Sequence, residues 1–264
     1  MRFFISLSYN GAAFCGWQRQ INGPSVQEHL ENAFSVYLRE KIEITGAGRT
    51  DTGVHATNYI AHFDSGNTTL IEEQQLLLYK INAILPASIV VTDICAVSPD
   101  AHARFDALSR TYNYYVHTIK EPFLTDFSYF FPYELNIESM NRAAALLIGE
   151  MDFTSMAKLH SDVKTNICNV TEALWTPGSP LNTLTPAGLT NSYCFTITAN
   201  RFLRNMVRAI VGSLLEIGRG RRQPEWITQL LSQKDRSAAG NSVPAHALYL
   251  TKIKYPYPLF TKTQ

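Results

Sequence analysis

The sequence lacks the cysteine pattern of a zinc or disulfide-rich protein. Its four cysteines are far apart and form no C-x-x-C pair. No uncharged apolar run reaches membrane-spanning length, and no small-residue cleavage site follows the short apolar start "MRFFISLSYNG". We therefore expect a cytoplasmic protein with no disulfide framework, no zinc knuckle and no membrane association.

Common catalytic signatures are missing as well. The sequence contains no G-x-S-x-G, and no Walker lysine follows a glycine loop. The glycines of "GAGRTDTGVHA", residues 46–56, do not fit G-x-G-x-x-G, which argues against dinucleotide binding. His55 and His62 flank a strand without a cysteine or carboxylate at ligand spacing, so His62 is more simply interpreted as a partly buried strand residue. We predict no metal site and no small-molecule cofactor.

The net charge is close to neutral, but the basic residues are unevenly distributed. The chain of 264 residues has a net charge of +1. From residue 201 to residue 222 there is one acid, Glu216, against six arginines: Arg201, Arg204, Arg208, Arg219, Arg221 and Arg222. Six minus one leaves a local charge of +5. Such a run is most often a solvated helix face, but it also suits contact with an anionic backbone.

The order of predicted elements indicates an α+β fold with two similar halves. The first hundred residues predict strand, helix, strand, strand, helix, strand, which is the ferredoxin-like order. The elements lie at 2–9, 23–38, 41–45, 58–64, 69–85 and 88–97. The second half echoes this order, with strands at 110–118, 172–175, 193–200 and 247–254 and helices at 136–149, 201–218 and 224–233. We predict two ferredoxin-like (RRM-like) halves, 1–104 and 105–264, joined into an extended, mainly antiparallel sheet with helices packed on it and a catalytic cleft between the halves.

Local signals sharpen three of these elements. Ser25 with Glu28, and Thr69 with Glu72, match the capping box that begins a helix. The segment 176–192 is rich in Pro, Gly, Thr and Ser, which predicts an exposed hairpin loop. On the helix predicted at 201–218, the apolar residues fall on one side at 100° per residue, and the opposite side carries an arginine stripe, Arg201, Arg204 and Arg208.

An opposite-charge pair, Arg49 and Asp51, stands in the glycine-rich loop. A lone aspartate in such a turn is usually a turn-former or a helix cap. An aspartate held against a guanidinium instead stays ionised and oriented, as a nucleophile or a base requires. The residues alone leave both interpretations open.

Five segments follow one another along nearly the whole chain. They are "YNGAAFCGWQRQINGPSVQEHLENAF", "GAGRTDTGVHA", "HARFDALSRTYNYYV", "ANRFLRNMVRAIVGSLLEIGRG" and "VPAHALYL". In this order they resemble the sequence blocks of the tRNA pseudouridine synthase A (TruA) family, whose loop reads G-A-G-R-T-D-A-G-V-H-A. Asn10, Thr52 and Ala247 stand where the family usually has Asp, Ala and Gly, and none of these differences removes a catalytic group.

The resemblance implies a role for each matched residue. Asp51 would be the catalytic nucleophile, Arg208 would pair with it from the other half of the chain, and Tyr112 would pack near the target base. Arg49 would hold the flipped nucleotide and Leu248 would line the pocket. Further substrate contacts are expected from His55, Arg201 and Arg204.

The resemblance also implies the reaction. The family isomerises uridine to pseudouridine at positions 38, 39 and 40 of tRNA, in the anticodon arm, and its members act as homodimers. Bonds broken and formed nearly balance, so no cofactor or metal is expected. The sequence leaves open whether Asp51 attacks C1′ of the ribose, attacks C6 of the uracil or abstracts a ribose proton.

Two rival functions have to be weighed. The first is an RNA-binding module that performs no chemistry, which the intact set of Asp51, Tyr112 and Arg208 argues against. The second is a pseudouridine synthase of the same fold with another target, either other tRNA positions or another RNA. The five-block resemblance favours the anticodon arm.

Overall fold

The computed structural model describes residues 1–21, 23–158, 165–180 and 191–260. The protein is α+β, as the sequence predicts, with five α-helices and ten strands in these ranges. It forms two compact units. The first unit comprises residues 1–109 and the chain from Leu250 onward, and the second comprises Arg110–Tyr249. This grouping differs from the predicted halves in assigning most of the last strand to the first unit. Within the described ranges, no helix combines the length and the apolar character needed to span a bilayer.

The first unit is built on an antiparallel sheet with β1 at its centre. Its elements are β1 (Arg2–Tyr9), α1 (Val26–Leu38), β2 (Thr45–Gly46), β3 (His55–Asp64), α2 (Gln74–Ile84) and β4 (Ile89–Val97). β1 pairs with β3 on one side and β4 on the other, and β2 pairs with β3, each time antiparallel. The glycine-rich loop is therefore anchored in the sheet at both ends, since it begins in β2, which pairs with β3, and ends in the first residues of β3.

The two faces of this sheet carry different aromatic clusters, because side chains alternate along a strand. On one face Phe3 stacks on Phe63, with ring centroids 5.5 Å apart, and Phe63 lies 4.8 Å from Phe34 of α1. On the other face Phe4 stacks on His62 at 5.8 Å. His62 lies in β3, as predicted, and is buried rather than partly buried.

The start of α1 was predicted correctly, and the start of α2 was not. Ser25 caps α1 by accepting the backbone N–H of Glu28. α2 begins at Gln74, later than predicted, and no side chain caps it. The expected capping box fails because Thr69 bonds backward, donating both its backbone N–H (2.9 Å) and its hydroxyl (3.0 Å) to the Asn67 side chain.

The strand expected at 41–45 is reduced to the two residues of β2, because side chains of α1 bind the backbone of this segment. The Ser35 hydroxyl accepts the N–H of Ile42 at 2.9 Å. The Glu31 carboxylate accepts the N–H of Ile44 at 3.1 Å, and the Gln27 amide donates to the Ile44 carbonyl at 2.9 Å. Backbone groups satisfied in this way do not form a strand ladder.

The second unit contains a further set of strands and three helices. Its elements are β5 (Ser109–His117), β6 (Tyr129–Phe130), α3 (Ile137–Ala145), β7 (Gly149–Asp152), β8 (Ile167–Pro177), β9 (Ser192–Ala199), α4 (Met206–Gly218) and α5 (Trp226–Gln233). The last strand, β10 (Leu248–Lys254), begins in this unit and lies mostly in the first. β9 lies between β5 and β8, antiparallel to both, β7 pairs with β8, and β6 runs parallel to β5. The central part of the predicted hairpin loop, residues 181–190, lies outside the described residues.

The basic helix α4 begins at Met206, five residues later than predicted. Asn205, just before it, has a left-handed backbone with φ of 66°, which does not continue a right-handed helix. The Asn205 amide donates to the Ser242 hydroxyl at 2.6 Å, a contact that the local sequence does not reveal. Arg201 and Arg204 therefore precede the helix, and the predicted stripe of three arginines on one helix face is wrong.

Candidate active site

The glycine-rich loop that carries Asp51 rests on a stacked pair of aromatic rings. Trp17 and Tyr59 stack with centroids 4.0 Å apart. A Cβ at Gly46 would lie 2.2 Å from the Tyr59 hydroxyl and 2.4 Å from the Trp17 ring, so only glycine fits there. The Tyr59 hydroxyl donates to the Gly48 carbonyl and receives the Gly48 N–H at 3.3 Å. The loop is thus fixed where it leaves β2.

The segment after β1 packs its backbone directly against the Asp51 loop. Gly16 has φ of +93°, and a Cβ there would lie 2.3 Å from the Thr50 carbonyl oxygen. The N–H of Trp17 donates to the same oxygen at 3.3 Å. A Cβ at Gly11 would lie 2.0 Å from the carbonyl oxygen of Val54. The motif around Gly11 and Gly16 therefore supports the loop on both sides of Asp51.

The residues next to Asp51 fix its backbone. The hydroxyls of Thr50 and Tyr9 share a buried hydrogen bond of 2.9 Å. The carbonyl of Asp51 accepts the N–H of Val54 at 3.2 Å, and Gly53 completes this turn with φ of 79°. The turn leaves the Asp51 side chain half-buried, whereas Arg49 is exposed. This arrangement suits a carboxylate that must be oriented and a guanidinium that must reach a ligand.

His55 lies at the end of this loop and is only 2% exposed. Its Nδ1 accepts the backbone N–H of Gly11 at 3.1 Å, so the ring ties the loop to the segment after β1. Accepting at Nδ1 places the proton of a neutral ring on Nε2.

In the second unit, Arg208 sits in the first turn of α4 and is half-buried. Its Nε donates to the carbonyl of Val243 at 2.7 Å, and its own carbonyl accepts the N–H of Val243 at 3.2 Å. The neighbouring Pro244 carbonyl accepts the hydroxyl of Tyr114 at 2.9 Å. Burial raises the pKa of Tyr114, and the nearby Arg208 opposes that shift. These bonds fix the direction of the Arg208 side chain.

The segment 240–244 docks on α4 through close backbone contacts. A Cβ at Gly212 would lie 1.8 Å from the carbonyl oxygen of Asn241, and one at Gly240 would lie 2.8 Å from the backbone of Gly212. The N–H of Gly240 also donates to the Ser213 hydroxyl at 3.0 Å. Arg208 thus has a rigid acceptor in Val243.

Tyr112 and Tyr114 point to the same face of β5, because they are two residues apart in a strand. The Tyr112 ring meets the ring of Phe202 edge-on, with centroids 5.1 Å apart and planes at 86°. Phe202 lies between Arg201, which is half-buried, and Arg204, which is exposed. The structure therefore brings Tyr112 next to the segment that precedes α4.

Leu248, the remaining predicted pocket residue, is the first residue of β10 and is 6% exposed. It directly follows a short helical turn, Ala245–Ala247.

Sequence reasoning missed the residues that support the site: Trp17, Tyr59, Thr50, Val243 and Tyr114. For Trp17 the sequence did contain a signal, because the neighbouring Gly16 marks a place where the backbone closely approaches another segment. No sequence signal identified Val243, whose contribution is a backbone carbonyl. Among the described residues, no group of three or more His, Cys, Asp or Glu side chains is arranged to hold a metal ion.

Comparison with known proteins defines the class of this molecule. Residues 143–256 match the model of a family described as tRNA pseudouridine synthase. The chain is 49% identical over 259 residues to tRNA pseudouridine synthase A of Parabacteroides distasonis, covering 98% of both chains. It is 48% identical to the Bacteroides thetaiotaomicron protein of that name, covering 99% of this chain and 93% of the relative. It is 37% identical to tRNA pseudouridine synthase A of Francisella philomiragia, covering 96% of this chain and 94% of the relative. The chain belongs to the tRNA pseudouridine synthase A family.

Proposed function

We propose that this protein isomerises uridine to pseudouridine at positions 38, 39 and 40 of tRNA, in the anticodon arm, with Asp51 as the nucleophile. The observation that carries the proposal is the Asp51 loop itself. Its sequence resembles the loop of the family that holds the catalytic aspartate, and Trp17, Tyr59 and Gly16 fix its backbone. Preorganised groups are effective in catalysis because little reorganisation remains at the moment of reaction.

The reaction rearranges one nucleotide without any external reactant. The bond between uracil N1 and ribose C1′ breaks, the base turns, C5 bonds to C1′, and the C5 proton is finally lost while N1 gains one. Asp51 can serve by attacking C1′, by attacking C6 of the uracil or by abstracting a ribose proton. In each case its carboxylate has to be ionised and aimed, and no metal or small-molecule cofactor is required.

Arg208 and Tyr112 complete the proposed catalytic set. We assign Arg208 the role of pairing with Asp51, which would keep the carboxylate ionised. The bond from its Nε to the Val243 carbonyl supports this role, because it orients the rest of the guanidinium. Tyr112 would pack near the target base, with Leu248 lining the same pocket. Aromatic side chains are the usual stacking partners of splayed RNA bases.

The proposed substrate contacts differ in exposure. Arg49 and Arg204 are exposed, and we assign them to the flipped nucleotide and to the RNA backbone respectively. Arg201 is half-buried and would reach the RNA only in part. His55 is almost fully buried, which favours a role in shaping the loop over direct contact with RNA. Phosphate contacts of this kind make affinity fall with salt.

We also propose that each predicted half, 1–104 and 105–264, is ferredoxin-like and that the protein acts as a homodimer. The strand order β4-β1-β3-β2 in the first unit supports the first point, because it is the antiparallel order of a βαββαβ fold. The order β5-β9-β8 in the second unit supports it in the same way. The dimer is proposed from the family resemblance alone.

The target positions can be tested with one transcript in four forms. A tRNA with uridine at 38, 39 and 40 is compared with three versions that carry cytidine at one of these positions. After incubation with purified protein, pseudouridine is mapped by chemical labelling and primer extension. We expect modification at each uridine of the three positions, lost one at a time in the variants. Modification elsewhere in the transcript, with none at 38–40, would contradict the proposed target.

A further inference from the structure

An exposed phenylalanine stands on a tightly built turn of the first unit. The turn consists of His102–Asp106 and follows β4. Phe105 is 75% exposed, whereas Ala103, two residues earlier, is completely buried. A large apolar side chain held out from a turn that is anchored by a buried residue is a candidate contact for another molecule.

Hydrogen bonds within the turn fix its shape. The backbone N–H of His102 donates to the Asp106 carboxylate at 2.8 Å, and the N–H of Asp106 donates back to the His102 carbonyl at 3.0 Å. The Nδ1 of His102 accepts the N–H groups of Arg104 at 3.1 Å and Phe105 at 3.3 Å. The backbone that carries Phe105 is therefore rigid.

The turn is also fastened to the sheet and to the C-terminal segment. The N–H of Ala103 donates to Nδ1 of His62 in β3 at 3.1 Å. The hydroxyl of Tyr255 donates to the Ala103 carbonyl, and that of Tyr257 donates to the Asp106 carboxylate at 2.7 Å. Burial lowers the pKa of His62 to about 4, so this ring is a neutral acceptor at neutral pH. A turn held at this many points needs little further ordering when a ligand binds.

The rings around Phe105 form a small platform. The His102 ring lies 4.2 Å from the Phe105 ring, with planes inclined at 32°. The Arg104 guanidinium lies 5.9 Å from the Phe105 centroid. An exposed aromatic ring beside a guanidinium is the combination that proteins use to stack unpaired bases and to hold the adjoining phosphate.

We propose that Phe105, backed by His102 and flanked by Arg104, is a stacking platform for an unpaired base of the tRNA substrate. The inference rests on the proposed function, because it takes tRNA as the ligand. His62, which holds the turn, is seven residues along β3 from His55, at the end of the Asp51 loop. At about 3.3 Å per residue this is roughly 23 Å. Because the Phe105 turn is attached to β3 this far from the Asp51 loop, the proposal takes the stacked base to be a different nucleotide from the uridine that Asp51 would attack.

The test compares Phe105→Ala with Phe105→Trp, using Phe123→Ala as the matched control. Phe123 is 66% exposed and lies in the second unit, outside the proposed platform. Dissociation constants for labelled tRNA and rates of pseudouridine formation are measured for each protein, together with melting temperature. We expect Phe105→Ala to weaken tRNA binding by on the order of 10-fold, as for the loss of one stacked base, without a change in melting temperature. Phe105→Trp should restore binding, and Phe123→Ala should match the wild type.

Four other outcomes would contradict the proposed platform, and they can be told apart. Wild-type binding and turnover in Phe105→Ala would remove the platform while leaving the proposed function intact. An equal loss in Phe123→Ala would show a nonspecific effect of exposed phenylalanines. Altered sedimentation of Phe105→Ala with unchanged tRNA affinity would assign this surface to a protein partner instead. A wild-type protein that neither binds nor modifies tRNA would overturn the proposed function as well.

Discussion

The Asp51 loop and the Arg201–Arg208 segment differ in how far the sequence reveals their shape. Both are held by residues remote in the chain: the loop by Gly11, Gly16 and Tyr59, and the arginine segment by Ser242 and Val243. In the loop, the close contacts restrict the residue type to glycine: Gly11 and Gly16 approach the loop backbone, and Gly46 within the loop approaches the Tyr59 and Trp17 rings. In the arginine segment, the helical periodicity of the sequence extends back to Arg201, although the helix itself begins only after Asn205. A remote contact can thus be anticipated where it restricts residue type, and missed where it uses only backbone and common polar groups.

The largest expected effect on turnover is that of Arg208→Ala, which we compare with Arg204→Ala in the same Arg201–Arg208 segment. Arg208→Ala removes the bond from Nε to the Val243 carbonyl and, in the proposed mechanism, the partner of Asp51. We expect loss of about 1.5–3 kcal/mol of folding stability, typical of a hydrogen bond to a charged group, and a severe loss of turnover. Urea unfolding and tritium release from tRNA containing 5-tritiated uridine measure the two effects.

Arg204→Ala is the matched control, because Arg204 is exposed and precedes α4. Its side chain should contribute within about 0.5 kcal/mol to stability, and its loss should act mainly on tRNA affinity. Arg201 would be a poorer control, since it is half-buried like Arg208. Equal effects of Arg208→Ala and Arg204→Ala on both readouts would mean that Arg208 has no special role.

A smaller effect on turnover, although a larger one on stability, is expected from a glycine that supports the Asp51 loop. Gly16→Ala places a Cβ 2.3 Å from the Thr50 carbonyl oxygen and requires φ of +93°, whereas Gly48→Ala meets nothing within 4 Å. We expect Gly16→Ala to destabilise the protein by about 2–4 kcal/mol, from overpacking and backbone strain together, and to slow turnover at temperatures where it remains folded. Gly48→Ala should be close to neutral in stability. Wild-type stability and turnover in Gly16→Ala would show that the loop does not need this close contact.

The correctly and wrongly predicted elements show what the sequence can specify. The start of α1 was predictable because Ser25 and Glu28 interact with each other over one helical turn. The same pattern failed at Thr69 because its hydroxyl and its N–H both donate to the side chain of Asn67, two residues earlier. The strand expected at 41–45 was lost to side chains of α1, a tertiary competition that strand propensity does not include.

The candidate site likewise contains residues that the sequence indicates and groups that only the fold reveals. Asp51 can be proposed from the sequence because its loop resembles a family motif, and the structure adds the physical reason for the glycines around it. The carbonyls of Val243 and Pro244 could not be named, because any residue supplies a carbonyl and only the fold determines where it points. His55 was expected to touch substrate, and its burial became visible only with the structure.

The smallest effect on turnover at neutral pH is expected from His62, which holds the Phe105 turn rather than the Asp51 loop. Burial, with smaller effects from Arg2 and His102, lowers its pKa from 6.5 to about 4. The unfolded chain then binds a proton that the folded protein excludes, so stability should be full above pH 6.5 and fall as pH decreases towards 4. We expect this fall to be about 3 kcal/mol, and His62→Gln should flatten it. Parallel curves of unfolding free energy against pH for the two proteins would contradict the assignment.

The role of Asp51 is tested most directly by tritium release from tRNA containing 5-tritiated uridine, with wild type and Asp51→Asn compared at equal tRNA occupancy. The substitution keeps the size of the side chain and removes its charge. Affinity comes mostly from phosphate contacts, so we predict tRNA binding within several-fold of wild type and no tritium release by Asp51→Asn. Release at the wild-type rate would remove Asp51 from the mechanism and contradict the proposed function of this loop.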